Sequence, residues 1–98
     1  MALTDKYDFE FLVNEAEKLV FDELEKQLKT YEGELCLCND CVADMAAFAL
    51  NAIKPMYHYS LMGSLYAGQA LANEELALNV QETVSNAIER VRENPSHG

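Results

Sequence analysis

Cys36, Cys38 and Cys41 are the only cysteines in the chain, and they fall within six residues as Cys36-Leu37-Cys38-Asn39-Asp40-Cys41. Cys36 and Cys38 are poorly placed to bridge each other, because disulfide geometry is narrow and so short a loop is strained. Cys38 and Cys41 form a C-x-x-C pair, which suits a redox disulfide in a βαβ setting that this chain does not display. An iron–sulfur cluster ordinarily asks for four cysteines. Zinc fits better: it takes thiolates in a tetrahedron, and a C-x-x-C turn entering a helix supplies two of them, with Cys36 as the third. A helix starting near Asn39 or Asp40 would aim its unpaired N–H groups at these sulfurs and favour the thiolate. A structural zinc site has four protein ligands. The candidates for the fourth are His58, His97, Asp40, Asp44 or a residue from a partner subunit; Asp44, one turn past Cys41, is better placed than Asp40.

Elsewhere, residues with catalytic potential are sparse. Ser60, Ser64 and Ser85 lack a nucleophile-elbow setting, and the chain has neither a Gly-rich phosphate loop nor an H-E-x-x-H pair. His58, between Tyr57 and Tyr59, reads as a packing or surface residue. Glu74 and Glu75 suit the start of a helix, where negative charge complements the dipole. We therefore expect no enzyme. With 17 acidic residues against 7 basic ones, the formal charge is −10. Duplex DNA binding is unfavourable at that balance, since it is driven by counterion release through Lys and Arg. Lys54, Arg90 and Arg92 could still form a small basic patch.

The elements that must position the cysteines are helical. Leu12, Ala16, Leu19, Val20, Leu24, Leu28 and Tyr31 recur at spacings of three and four, predicting a first helix over about residues 5–31 that ends before Gly33. The cysteine turn occupies 36–41. Val42, Met45, Ala46, Ala49, Leu50 and Ile53 predict a second helix over 42–53, stopped by Pro55. Residues 55–68 break the rhythm with β-prone aromatics, as a short loop or hairpin with a return near Leu65-Tyr66. Leu71, Leu76, Val80, Val84, Ala87, Ile88 and Val91 predict a third helix over 68–93. The expected fold is mostly α, a small single domain of three main helices stapled by zinc. A domain of 98 residues has a thin core, and a bound metal would add directly to its folding. No signal peptide or membrane span is apparent, and reduced cysteines point to the cytoplasm.

The run from Cys36 to Tyr57, with Asp44 three residues past the last cysteine, Ala49-Leu50-Asn51 at the helix end and then Pro55-Met56-Tyr57, resembles the signature of the late competence protein ComFB family. Val20-Phe21-Asp22-Glu23-Leu24 and the C-terminal helix also resemble the family, so the likeness covers most of the chain as one ComFB-like domain, 1–98. The resemblance implies a small helical homodimer holding zinc through Cys36, Cys38 and Cys41, with a further ligand near the C-terminus that falls close to His97. Met56 stands where many members carry an arginine. Some related cyanobacterial proteins are receptors for cyclic nucleotide messengers, notably cyclic di-GMP. A receptor of that kind would use Lys54, Tyr57, Tyr59, Tyr66, Arg90 and Arg92 at a symmetric interface. The alternative is a zinc-stabilised module that binds a protein partner in competence or DNA uptake. Acidity favours the module and the resemblance favours the receptor.

Overall fold

In the computed structural model, which describes residues 2–59 and 73–95, Leu3–Lys6 form a short helix α1 and Val13–Asn14 a strand β1. Glu15–Thr30 form helix α2, Asn39–Ala52 helix α3, Tyr57–His58 strand β2, and Glu74–Glu93 helix α4. The three long helices pack on one another through their apolar stripes. Ala16, Val20 and Leu24 of α2, Cys41, Met45 and Ala49 of α3, and Val80, Val84, Ala87, Ile88 and Val91 of α4 are buried, with Ile53 closing the end of α3. These are the positions that a 3.6-residue period places on one side of each helix. Gln27 donates to the Gln81 carbonyl at 2.9 Å, and Tyr31, one turn later, reaches Glu89 at 2.8 Å. The two contacts advance together, so α2 and α4 run in the same direction.

Two helix starts differ from the sequence expectation. The first long helix begins at Glu15, not near residue 5, because Asn14 leaves the helical region (φ −107°, ψ 108°) and caps α2. Its side chain accepts from the Ala16 N–H at 3.1 Å and also from the Met56 N–H at 2.7 Å. Upstream, Tyr7, Phe9 and Phe11 alternate with Asp8 and Glu10, a period of two that does not suit a helix. Leu12, counted above on the helical face, is exposed. Helix α4 begins at Glu74 behind Asn73, whose side chain accepts from the Glu75 and Leu76 N–H groups. Residues 68–72 lie outside the described residues, as does the expected return near Leu65-Tyr66.

Strand β2 pairs antiparallel with β1, Val13 opposite His58 and Asn14 opposite Tyr57. The Glu15 N–H donates to the Met56 carbonyl at 2.9 Å, so the segment after α3 is tied to the first turn of α2. Asn14 serves both as helix cap and as acceptor for that segment. We expect Asn14→Ala to cost about 1–2 kcal/mol in urea unfolding; a change of only a few tenths would show that neither contact contributes.

Candidate metal centre

Helix α2 ends at Thr30, and Gly33 turns the chain with φ 120°, a conformation that glycine adopts without the penalty a Cβ would incur. Leu35, Cys36 and Cys38 then lie half-buried against the core. Cys38 is the N-cap of α3, and its Sγ accepts from the Cys41 N–H at 3.4 Å while its carbonyl accepts from the Val42 N–H at 3.0 Å. Cys41, one turn inside the helix, is fully buried. The three Sγ atoms lie within 4.8 Å of one another, and none is in a disulfide. A tetrahedral ion at 2.3 Å from each sulfur sets them about 3.8 Å apart. Small side-chain rotations therefore bring the set to metal-binding distance, and the three cysteines could hold a metal ion.

The electrostatics suit a cation. A hydrogen bond from the Cys38 backbone holds the Cys36 thiol down. The Cys38 and Cys41 side chains, together with burial, outweigh it and push Cys36 above its ordinary value. As thiolates, three sulfurs so close would repel one another, and a bound dication would relieve that repulsion.

Among the described residues no imidazole or carboxylate joins the three sulfurs at that distance. Asp40 is exposed and Asp44 half-buried on α3. His58 is committed elsewhere, with Nε2 2.7 Å from Glu15 Oε1, because the pairing of β2 with β1 carries its ring to the start of α2. His97 and Tyr66 lie outside the described residues.

The other expected ligand residues fall in two places. Lys54, Tyr57 and Tyr59 follow α3 on one segment and are exposed, the tyrosines at 63% and 66%. Arg90 and Arg92 lie near the end of α4 with different surroundings. The Arg90 guanidinium sits 4.5 Å from the centre of the Phe48 ring, at an open groove of about 490 Å³ lined also by Ala52, Thr83, Asn86 and Glu93. Arg92 Nε donates to Glu89 Oε2 at 2.8 Å, while the Tyr31 hydroxyl donates to Glu89 Oε1. Arg92 and then Tyr31 hold the Glu89 carboxyl below its usual range, and the same bond raises the Tyr31 phenol. The Glu89–Arg92 spacing on a helix is legible in sequence. Tyr31, 58 residues away, and Phe48 beneath Arg90 carry no local signal.

Comparison with known proteins agrees with this fold. The model of the family "Late competence development protein ComFB" matches residues 13–95. No curated protein matches. Among solved structures, the late competence protein ComFB from Bacillus subtilis is similar at a TM-score of 0.69 and 24% identity, covering 87% of this chain and 94% of that one. At that identity the likeness speaks for the fold. With the family's match running from β1 through the cysteine turn to the end of α4, this chain belongs to the late competence development protein ComFB family.

Proposed function

We propose that this ComFB-family chain is a zinc-stapled, dimeric regulatory protein of the cytoplasm that binds a cyclic (di)nucleotide messenger such as cyclic di-GMP, and that it is not an enzyme. Zinc would be held by Cys36, Cys38 and Cys41 with His97 as the fourth ligand, and its role is structural. The donor set supports this: three thiolates at a helix start are a soft site that suits zinc. The last turns of α4 meet Tyr31, at the head of the loop that carries the cysteines. Helix α4 therefore ends at the end of the bundle that carries the cysteine loop.

The observation that carries the receptor reading is the exposed pair Tyr57 and Tyr59 beside Lys54, in a member of this family. Exposed aromatic rings stack on bases, and a neighbouring cation meets phosphate. Arg90, on the α4 groove, is the second cation available. Arg92, engaged by Glu89, is the weaker candidate. A second reading, a protein-interaction module linked to competence, is favoured by the exposure of Leu3, Tyr7, Phe9, Phe11 and Leu12. Apolar groups in such number on one short segment mark a contact surface. Neither reading calls for duplex DNA or a membrane, and no described helix is long and apolar enough to cross one.

Calorimetric titration of the metal-loaded protein with cyclic di-GMP, cyclic AMP and a neutral nucleoside separates the two. We expect heat with cyclic di-GMP and none with the nucleoside. Tyr57→Ala should weaken binding by about 1–3 kcal/mol, roughly 5- to 150-fold. Absence of heat with both messengers would sink the receptor reading and leave the interaction module.

A further inference from the structure

The two thiols of the C-x-x-C pair differ in access. Cys38 is half-exposed at the N-cap of α3, whereas Cys41 is fully buried one turn inside the same helix. A solvent-borne reagent therefore meets Cys38 before Cys41. The Cys41 N–H already points at the Cys38 sulfur, 3.4 Å away, and the two Sγ atoms lie within 4.8 Å. Residues one helical turn apart also fall in the Cα window of about 4.4–6.8 Å that a disulfide needs. A half-exposed attacking thiol at a helix start with a buried partner three residues on is the division of labour that C-x-x-C chemistry requires.

We propose that Cys38 and Cys41 are a redox modification site, closing to a reversible disulfide under a peroxide-class oxidant. The Cys38 thiolate attacks one peroxide oxygen; the O–O bond breaks, and the departing hydroxide leaves as water after taking a proton. Cys38 is now a sulfenic acid. The Cys41 sulfur then attacks the Cys38 sulfur. The S–S bond forms, the S–O bond breaks, and the oxygen leaves as a second water with the Cys41 proton. Two thiols have lost two electrons, and one peroxide has become two waters. A thiol reductant reverses the step by exchange. Cys36 is left as the remaining thiol, because its bridge to Cys38 would close a strained loop with one residue between the cysteines.

The disulfide rests on the thiols alone. Its consequence, release of a bound ion when two of three sulfurs are withdrawn, rests on the zinc reading. The test uses the whole chain, as purified and after chelation, with zinc measured before and after one equivalent of hydrogen peroxide. Remaining thiols are then alkylated with iodoacetamide in denaturant, so that the buried Cys41 is also open to the reagent, and located by peptide fragmentation. We expect three labels before oxidation and one after, on Cys36, with dithiothreitol restoring all three. Cys36→Ser should still lose the other two labels, and Cys41→Ser should stop at a Cys38 sulfenic acid that dimedone traps. Three labels surviving in chelated protein, a bridge that includes Cys36, or a disulfide between two chains would each overturn the proposal. Formation of the disulfide in protein that never held zinc would support it and count against the metal reading instead.

Discussion

Replacing Cys38 and Cys41 together by serine is expected to abolish metal retention and to cost at least about 4 kcal/mol of stability, or about 16–32 °C in Tm for a domain of this size. Structural zinc contributes about 10–16 kcal/mol in small metal-dependent domains, while a domain such as this is stable by about 5–15 kcal/mol. Here the helices also bury a core of their own, so the loss should be large without necessarily unfolding the chain. The change acts at two places. It removes two soft ligands, and it places a hydroxyl at residue 41, a fully buried position where a polar group without a partner is costly. Cys41→Ala separates the effects: it loses the ligand and introduces no polar atom. Unfolding followed by circular dichroism, with zinc measured on the same samples, gives both readouts. A double variant that kept its metal and its midpoint would rule out these sulfurs as ligands.

The second large effect lies in the core. Met45 stands one turn beyond Cys41 on α3, is fully buried, and is among the largest side chains enclosed by the three long helices. Truncation to alanine leaves a cavity that the surrounding helices fill only in part, so Met45→Ala should cost about 2–5 kcal/mol. Leu78, on the outer face of α4 and 65% exposed, is the matched control; Leu78→Ala should stay within about 0.5 kcal/mol. Urea midpoints for the pair decide the matter. Equal midpoints would mean that α3 does not form the centre of the fold.

The helical core was legible in the sequence because each stripe repeats at helical spacing. Val20 and Leu24, Met45 and Ala49, and Val84, Ile88 and Val91 all fall on the sides the structure buries. The start of the first long helix was not. Leu12 continued the apolar pattern upstream of Asn14, and periodicity alone does not register that a capping side chain also holds a distant backbone group. That group, the Met56 N–H, lies 42 residues on. The same limit applies to β1 and β2, two residues each, which exist as strands only because they pair with one another. At the site, three ligand candidates were legible because they sit within one turn. The choice of a fourth depends on which distant segment the fold brings near. His58 shows why spacing cannot decide this: its ring is held by Glu15, 43 residues earlier. The basic pair Arg90 and Arg92 is divided in the same way, one cation over Phe48 and the other bonded to Glu89.

Elemental analysis of the purified, reduced chain tests the metal site most directly. We expect about one zinc per chain, lost on chelation together with a fall in Tm, with His97→Ala lowering zinc retention. Protein that carries no metal, takes up none from solution, and shows all three thiols reacting at the rate of an unfolded control would contradict it.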